Sequence, residues 1–375
     1  MLKVLLTATV QSHICQFHKP LVKMLRAHGG VTIHVAARNN LAEKNGLKLD
    51  FADQVFDLPF SRSPKSPDNI KAYRQLKQLI KDEQYDIIHC NTPVGGVVTR
   101  LVSRQAAKYG AKVFYTAHGF HFYHGSSRKN WLLYYPIEKN LSRRTDILIT
   151  INEEDYALAQ KRFSCRVEHI HGVGVDGERY HTVSREQAAL MKKELGYPSD
   201  QRLILAVGEL LPNKNHQTAI RAMRRVADRF PNTKLLIAGN GPERERLEAE
   251  IASLGLENHV ELLGYCTHLE DYQQICELSV ACSSREGLGL NVIEAMLSGN
   301  PVIASHNRGH DELVRDGENG YLFDRGDADA LAGRICQLLS DGSLLRAMSD
   351  RCPDSVRLYT AASVEKELEH IYFGG

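Results

Sequence analysis

The sequence predicts an α/β fold class, with two doubly wound, Rossmann-like domains built on parallel sheets. Its 375 residues exceed the length that one compact core usually supports, so two domains are expected. Short β-branched runs alternate with longer amphipathic segments from end to end. These runs are apolar almost throughout, which is typical of parallel strands that are covered by helices on both faces.

Five apolar runs predict the strands of the first half, and the segments between them predict helices. One such segment, "IKAYRQLKQLIKDEQ", is expected to place Ile70, Tyr73, Leu76 and Ile80 on one helical face. The predicted strands are "KVLLTAT" (3–9), "VTIHVAA" (31–37), "DIIHCN" (86–91), "KVFYTAH" (112–118) and "DILITIN" (146–152).

The second half repeats this rhythm after a glycine-rich connection. The segment "HIHGVGVDGERY" (169–180) is expected to contain the domain boundary, because its glycines end a strand and open a connection. We therefore expect one domain over residues 1–175 and a second from residue 176. The strands predicted for the second domain are "LILAVGE" (203–209), "KLLIAGNG" (234–241), "VELLGY" (260–265), "LSVACSS" (278–284) and "PVIASHN" (301–307).

Composition excludes several classes of protein. Apolar residues make up 43% and charged residues 25% of the chain, as in ordinary globular proteins. No apolar run reaches the ~20 residues that span a bilayer, and the N-terminal segment indicates a first strand instead of a signal peptide. The eight cysteines form no CxxC pair. Zinc-finger and disulfide frameworks are therefore not expected, and a reduced cytosol is favoured.

The formal net charge of +2 hides an asymmetry between the two halves. Residues 1–175 hold 25 Lys+Arg and 14 Asp+Glu (+11), and residues 176–375 hold 22 and 31 (−9), which sum to +2. A basic first half favours an anionic partner, such as phospholipid head groups or a phosphorylated acceptor. Drift in surface composition is the plainer alternative. No nucleic-acid-binding motif accompanies the charge, so nucleic acid is not expected as a partner.

The segment "SSREGLGLNVIEAMLSGNPVIAS" (283–305) carries the most specific pattern. Glu286 lies in a predicted loop after a strand, and Glu294 follows eight residues later in a predicted helix. Gly287 and Gly289 allow the backbone to approach a ligand, and the free amides of the helix N-terminus suit a phosphate. Two carboxylates near a phosphate site fit a ligand with hydroxyls at both ends. An ordinary β–α–β unit with two surface glutamates is the alternative.

This pattern, E-x7-E followed by A-M-x-x-G-x-P-V-I-A, resembles the signature of family 4 retaining glycosyltransferases, and other landmarks extend the resemblance over nearly the whole chain. The resemblance implies the GT-B architecture, in which the two sheets face across a cleft. It also implies that a last helix, residues 358–375, returns to the first domain, so that the second domain spans 176–357. The family requires no metal and no cofactor, and none is expected here.

The resemblance also implies a nucleotide-sugar donor site in the second domain. Lys214, in "VGELLPNKNH", matches a lysine that holds the donor's diphosphate, and we expect it to be catalytic together with Glu286. Glu209 replaces the arginine that the family has at that position, which removes one cation; Arg285 is a candidate substitute. The other residues expected to bind the donor are Gly208, Gly264, Tyr265, Gly289, Leu290, Asn291 and Glu294.

In the first domain, "YTAHGFHFYHG" (115–125) holds three histidines at a spacing of three: His118, His121 and His124. A zinc site would need all three to face inward, and the interleaved glycine and aromatic residues disfavour it. The resemblance instead implies that His118 contacts the donor sugar as a catalytic residue. Two predicted loops, 9–20 and 91–100, lie at the same edge of the sheet. The residues expected on the acceptor side are Ser12, His13, Gly95, Gly96 and His121.

The segment "SSRKNWLLYYPIEKNLSRR" (126–144) mixes basic and aromatic residues, which suits a membrane interface. A core helix with basic flanks is the alternative.

The expected function is retaining transfer of a sugar from a UDP-sugar, such as UDP-GlcNAc, to a polyprenyl diphosphate-linked saccharide. The setting would be bacterial exopolysaccharide or capsule synthesis, at the cytoplasmic face of the membrane. The rival interpretations are a UDP-sugar epimerase of GT-B fold and a catalytically silent glycan-binding subunit.

Overall fold

The chain divides into two compact units in the computed structural model, which describes residues 2–43 and 47–374. The first unit comprises Met1–Gly174 together with Ala361–Gly375, and the second comprises Val175–Thr360. Each unit has its own parallel sheet with helices packed against it. The prediction of two doubly wound, Rossmann-like domains is confirmed.

The first unit contains a parallel sheet with the strand order β3-β2-β1-β4-β5-β6-β7 among its described residues. The central strands β1 and β4 are buried almost throughout, whereas β3 and β7 at the two edges are largely polar and partly exposed. The strands are β1 (Leu2–Val10), β2 (Val31–Arg38), β3 (Gln54–Asp57), β4 (Ile87–Asn91), β5 (Lys112–Ala117), β6 (Ile147–Thr150) and β7 (Arg166–His169).

The second unit contains a parallel sheet with the strand order β10-β9-β8-β11-β12-β13. Its core lies on both faces of this sheet, against helices that follow each strand. The strands are β8 (Arg202–Val207), β9 (Thr233–Ala238), β10 (Val260–Gly264), β11 (Leu278–Ala281), β12 (Val302–Ser305) and β13 (Gly320–Phe323).

The helices connect successive strands, and the last one returns to the first unit, where it packs on α2. In the first unit they are α1 (Gln11–Phe17), α2 (Lys19–His28), α3 (Asp68–Glu83), α4 (Pro93–Val102), α5 (Arg128–Leu141) and α6 (Glu153–Arg162). The second unit has α7 (Arg185–Glu194), α8 (His216–Arg229), α9 (Arg244–Ser253), α10 (Leu269–Ile275), α11 (Leu290–Leu297), α12 (Arg308–Leu313), α13 (Ala328–Ser340) and α14 (Gly342–Ser355). The returning helix is α15 (Ala361–Phe373).

Each sheet reverses its strand order at one point, between β1 and β4 in the first unit and between β8 and β11 in the second. The register there pairs Thr7 with Cys90, and Ala206 with Val280, so the paired strands end close together. The connections that leave these strands turn in opposite directions, which opens a crevice at the carboxyl edge of the sheet. In doubly wound folds this crevice is where ligands bind.

Two sequence expectations about local structure are wrong. Residues 9–20 do not form a loop, because β1 continues to Val10 and α1 begins at Gln11. The buried face of α3 runs through Ala72, Leu76 and Ile80, whereas the side chain of Ile70 is 58% exposed. The residue that faces inward at this point is Asn69, which precedes Ile70. The Asn69 side chain is buried and donates to the Ser63 carbonyl, so the start of α3 is held by a polar contact and not by Ile70.

A buried ion pair attaches α5 to the first unit. Arg100 on α4 lies 2.8 Å from Glu138 on α5, donates to the Gly96 carbonyl and stacks over the Tyr115 ring at 3.9 Å. These contacts compensate for burying two charges, and they fix which face of α5 points inward. No helix in the described residues is both long enough and apolar enough to cross a membrane.

Candidate functional site

The crevice of the second unit holds an ion pair between Lys214 and Glu286. The Lys214 Nζ lies 2.6 Å from Glu286 Oε1, and both side chains are mostly withdrawn from water, with exposed fractions of 23% and 17%. Lys214 belongs to the connection after β8 and Glu286 to the connection after β11. The ion pair therefore spans the point where the strand order reverses. It places one cation and one carboxylate where a ligand is expected.

Glycines let the backbone close in around this ion pair. The carbon chain of Lys214 runs against Gly208, where a Cβ would lie 3.0 Å from Lys214 Cδ. A Cβ on Gly239 would overlap the carbonyl oxygen of Gly208, and one on Gly241 would overlap that of Leu210. The glycines after β8 and β9 are thus required for close packing of the two connections, and this packing leaves little freedom to the Lys214 chain.

Direct hydrogen bonds join the loops that carry the two charged groups. The Ser284 amide donates to the Asn213 carbonyl at 2.7 Å, and the Asn213 side chain donates to the Arg285 carbonyl at 3.0 Å. Asn291, in the first turn of α11, donates to the Val207 carbonyl at 3.2 Å and so attaches the helix start to the end of β8. The positions of Lys214 and Glu286 are fixed by this network as well as by their own contact.

Glu294 lies one turn into α11 in a different electrostatic environment. The pKa of its carboxyl is raised to about 7, mainly by burial and in part by Glu270, while Arg179 and Lys214 oppose the shift. Arg179 is itself held by Glu270, to which its Nε donates at 2.7 Å, and by the Thr267 carbonyl. Sequence reasoning missed Arg179 and Glu270, because they follow no motif and meet Glu294 only through the fold.

His310 on α12 is a further residue that sequence reasoning missed. It is completely buried, its Nδ1 donates to the Ser305 carbonyl at 2.8 Å, and Asn307 contacts the same nitrogen. A Cβ on Gly289, at the start of α11, would lie 3.3 Å from the His310 ring. Gly289 has a φ of +108°, which favours glycine, so the close contact and the backbone both account for this residue. His310 thereby supports the N-terminus of α11.

The structure places the other predicted donor residues at the same carboxyl edge of the sheet, with different exposure. Gly264 ends β10 with a φ of +76°, and Tyr265 after it is 59% exposed. Glu209 and Arg285 are exposed, and the carbonyl of Arg285, not its guanidinium, makes the contact to Asn213. Leu290 is the first residue of α11, so its backbone amide lies at the helix N-terminus.

In the first unit, His118 follows β5 and meets two histidines from the connection after β1. Its Nε2 lies 3.2 Å from the Nε2 of His13 on α1, and its ring lies 5.7 Å from that of His18, which joins α1 to α2. Burial lowers the pKa of His118 to about 4 and, together with the neighbouring histidines, holds those of His13 and His18 well below their usual value. The three rings therefore form a neutral polar cluster at neutral pH.

His121 and His124 are directed elsewhere. His121 stacks on Tyr134 of α5 at 4.6 Å, and His124 is exposed. Phe120 and Phe122, which separate the histidines in sequence, stack on each other at 4.7 Å within an aromatic core. The three histidines at a spacing of three thus do not converge, and His118 alone joins the cluster with His13 and His18.

The remaining predicted acceptor-side residues have structural contacts at the first crevice. Ser12 is buried and paired twice with Asn40, through its amide at 3.0 Å and its hydroxyl at 2.9 Å. A Cβ on Gly95 would lie 2.7 Å from Thr92 Oγ1, and one on Gly96 would lie 2.7 Å from the Tyr115 ring. Both glycines allow the start of α4 to pack against β1 and β5.

Comparison with known proteins identifies the family. The model described as "Glycosyl transferase 4-like" matches residues 3–152, and the model "Glycosyl transferases group 1" matches residues 188–353. "Putative glycosyltransferase EpsD" of Bacillus subtilis (strain 168) is 42% identical over 372 residues, which cover 99% of this chain and 96% of that relative. The chain belongs to this family of glycosyltransferases. The resemblance inferred from the motifs is confirmed.

Two further comparisons concern proteins that are named or solved with a sugar nucleotide or its parts. "UDP-Gal:alpha-D-GlcNAc-diphosphoundecaprenol alpha-1,3-galactosyltransferase" of Escherichia coli is 25% identical over 327 residues, 85% of this chain and 84% of that protein. The crystal structure of Anabaena HepE in complex with UDP and glucose has a TM-score of 0.79 at 20% identity and covers 100% of both chains. The solved neighbours are GT-B glycosyltransferases, and the predicted fold is confirmed.

The raised pKa of Glu294 predicts a pH-dependent effect of Glu294→Gln on stability. The folded-state pKa of about 7 exceeds the ordinary value of 4.5, so the carboxyl contributes stability at low pH that is lost as pH rises through about 7. Glutamine does not ionise. We expect Glu294→Gln to raise Tm by a few °C at pH 8, with a smaller gain at pH 5, in thermal unfolding scans.

The matched control is Glu257→Gln, which neutralises an exposed glutamate in the same unit. It should shift Tm little at either pH. An equal change in Tm at pH 5 and pH 8 for Glu294→Gln would show that the carboxyl is not desolvated.

Proposed function

We propose that this glycosyltransferase transfers a sugar, with retention of configuration, from a UDP-sugar to a polyprenyl diphosphate-linked saccharide in exopolysaccharide or capsule synthesis. The observation that carries the proposal is the Lys214–Glu286 ion pair in the crevice of the second unit. The names of the relatives support the substrate classes, since that of the Escherichia coli relative specifies UDP-galactose and a diphosphoundecaprenol-linked acceptor. UDP-GlcNAc is our first candidate for the donor.

In this proposal the second unit binds the nucleotide sugar. The Lys214 ammonium leaves Glu286 and binds the donor's diphosphate, which also accepts hydrogen bonds from the amides at Leu290 and Asn291. Glu286 then accepts hydrogen bonds from sugar hydroxyls, and Glu294 accepts them from the ribose diol. Gly264 and Tyr265 border the base, while Gly208 and Gly289 let the backbone approach the ligand.

The chemistry is stabilisation of charge that develops on the leaving group. As the bond from the anomeric carbon to the diphosphate breaks, negative charge grows on the diphosphate and an oxocarbenium-like sugar forms. Lys214 and the amides of α11 stabilise that charge from fixed positions, which is an effective form of catalysis. The acceptor hydroxyl attacks the face that the diphosphate leaves and passes its proton to the departing diphosphate oxygen, so that the products are the glycoside and UDP. This step needs neither a protein nucleophile nor a metal ion. Because Glu209 stands where the family has an arginine, Lys214 supplies a larger share of the charge stabilisation on the departing diphosphate.

We propose that the first unit binds the acceptor. The crevice after β1 and β4 would receive it, with His13 and Ser12 beside it, and we assign His118 to the donor sugar. The contact of His118 with His13 and the pairing of Ser12 with Asn40 support this role, because both hold polar groups in defined positions. Gly95 and Gly96 keep α4 close to the strands, and we assign His121, which stacks on Tyr134, to the acceptor side as well.

The transfer assay uses radiolabelled UDP-sugars and a polyprenyl diphosphate-linked saccharide. We expect Lys214→Ala and Glu286→Gln each to lower turnover by about 100-fold or more, because each removes a group that stabilises or orients the transition state. Both variants should remain folded by circular dichroism. In a thermal-shift assay with a panel of UDP-, GDP- and ADP-sugars, the UDP-sugars should stabilise the protein.

The matched controls are Lys234→Ala and Glu261→Gln. These residues form a comparable ion pair, at 3.5 Å, near the starts of β9 and β10 and hence at the opposite edge of the same sheet. The controls should keep near-normal turnover. Near-normal transfer by Lys214→Ala and Glu286→Gln would contradict the site. Release of a free epimerised UDP-sugar without transfer would indicate an epimerase, and neither hydrolysis nor transfer would indicate a silent binding subunit.

We also propose that α5 contacts the anionic cytoplasmic face of the membrane, where such an acceptor would be presented. Leu132 and Leu133 are 79% and 50% exposed, while Trp131 and Tyr135 of the same helix pack into the aromatic core. The acidic residue of α5, Glu138, is buried against Arg100. The exposed face is therefore apolar and basic, a combination that favours anionic lipid surfaces. The exposed basic residues near it are Arg128, Lys129, Lys139 and Arg143.

Vesicle sedimentation tests this contact. We expect the protein to bind vesicles that contain phosphatidylglycerol more than vesicles of phosphatidylcholine alone, and Leu132→Ser with Leu133→Ser to reduce binding several-fold. Leu190→Ser is the control, because Leu190 is 62% exposed on α7 of the second unit. Equal sedimentation of the double variant and the control would contradict the assignment.

A further inference from the structure

Three histidines of the first unit bring ring nitrogens together without an obvious structural purpose. His13 comes from α1, His18 from the junction of α1 and α2, and His118 from the end of β5. One nitrogen from each ring lies within 4.8 Å of the other two. No sequence motif predicts this group, because its members are separated by as many as 105 residues.

The spacing of these nitrogens is close to that of a zinc site. Because the three nitrogens lie within 4.8 Å of one another, a cation placed between them would be about 2.8 Å or less from each. Side-chain movements of under about 1 Å would shorten these distances to the 2.0–2.1 Å of zinc–imidazole bonds. All three residues belong to elements that leave the central strands β1 and β5. The rings therefore approach one another from a rigid framework.

The ring nitrogens of the cluster do not all have hydrogen-bond partners among the described residues, and a bound cation would coordinate such nitrogens. His18 is 4% exposed, and its Nε2 is buried with no hydrogen-bond partner among the described residues. His13 and His118 direct their Nε2 atoms at each other at 3.2 Å, a contact that needs a proton on one nitrogen and a lone pair on the other. Buried polar atoms without partners are uncommon and call for a ligand or a water.

The neighbours of the cluster determine which histidines are available as ligands. His89 is adjacent, but both of its nitrogens have partners: the Tyr372 hydroxyl at 2.5 Å and the Thr116 hydroxyl at 2.7 Å. Asn91 donates to the Thr7 carbonyl, which leaves its side-chain oxygen facing the His118 Nε2 at 3.4 Å. His89 therefore packs beside the site as support, and the Asn91 oxygen is near the position of a fourth ligand.

We propose that His13, His18 and His118 form a binding site for a zinc ion or a similar divalent cation that prefers imidazole ligands. The ion takes the place of the proton between His13 and His118, and it is held by a ring nitrogen of the buried His18 as its third ligand. Three imidazoles leave a further coordination position for water or for the Asn91 oxygen.

The site has a consequence for transfer that rests on the proposed function. His118 is the residue that we assign to the donor sugar, and an imidazole nitrogen bound to zinc cannot also contact a sugar hydroxyl. Occupation by zinc should therefore inhibit transfer. Binding of the ion itself does not depend on that assignment, so the two claims are measured separately.

The binding test uses Co²⁺ and the full chain, without donor or acceptor. Co²⁺ replaces zinc in imidazole sites and gives intense visible absorption when it is four-coordinate. We expect one such Co²⁺ per chain, displaced by one equivalent of Zn²⁺. His18→Gln and His13→Gln should each weaken Co²⁺ binding by at least about 100-fold. Loss of a residue that only hydrogen-bonds to a metal ligand already lowers metal affinity by about 10–100-fold.

His124→Gln is the matched control, because it removes an exposed histidine of the same unit that lies outside the cluster. It should leave the Co²⁺ spectrum unchanged. Circular dichroism checks that each variant is folded, and the use of two separate ligand variants keeps the test valid if one of them unfolds. Absence of the spectrum, or its persistence in both ligand variants, would overturn the site and would indicate that water satisfies His18.

The inhibition test adds Zn²⁺ to the transfer assay. We expect loss of turnover at the zinc concentration that fills the site, restored by a chelator. His18→Gln should shift the inhibitory concentration upward by the same factor as its loss of Co²⁺ affinity. Full turnover with the site filled would overturn the inhibitory role while leaving the cation site intact. A protein that binds Co²⁺ but transfers no sugar under any condition would contradict the proposed function and not the site.

Discussion

The contact between Lys214 and Glu286 is the constraint on which the candidate donor site depends. Two opposite charges at 2.6 Å, largely withdrawn from water, attract strongly, but removing either from water is costly. The protein holds both because each is attached to a loop fixed by other bonds, through Asn213 to Ser284 and Arg285. The pair keeps a cation and a carboxylate ready at the end of a sheet. A ligand with an anionic part and hydroxyls can take both partners.

The two units use the same topology to hold different chemistry. In the second sheet Lys214 and Glu286 leave the two strands that flank the reversal of strand order, and in the first sheet the histidines leave β1 and β5 on either side of it, which brings together segments far apart in sequence. The crevice of the second unit collects charges, and glycines such as Gly239 allow the backbone to close around them. The crevice of the first unit collects imidazoles, whose burial keeps His118 and His18 neutral at neutral pH. An ammonium beside a carboxylate can bind a diphosphate and sugar hydroxyls, whereas neutral imidazoles can hydrogen-bond to hydroxyls or coordinate a cation.

Much of the fold could be predicted because buried parallel strands are apolar throughout, and the central strands of both sheets follow that rule. The edge strands β3, β7 and β13 escaped prediction. The first two carry exposed polar residues, such as those of "QVFD", and no apolar run, and β13 is an apolar run of only four residues. Motifs located Lys214 and Glu286, which lie in local patterns. They could not locate Arg179 beside Glu294, or His18 beside His118, because those contacts arise from long-range packing.

The affinity of UDP for two variants tests the central claim most directly. We propose that Lys214 binds the diphosphate, and that Glu286 pairs with Lys214 in the ligand-free protein and contacts the donor sugar, which UDP lacks. Lys214→Ala should therefore weaken UDP binding by about 10-fold or more, through loss of a charge-assisted contact. Glu286→Gln should leave UDP binding unchanged or tighter, because it releases Lys214. Titration calorimetry measures both. An equal loss of affinity in the two variants would show that the ion pair is only structural, and would contradict the account.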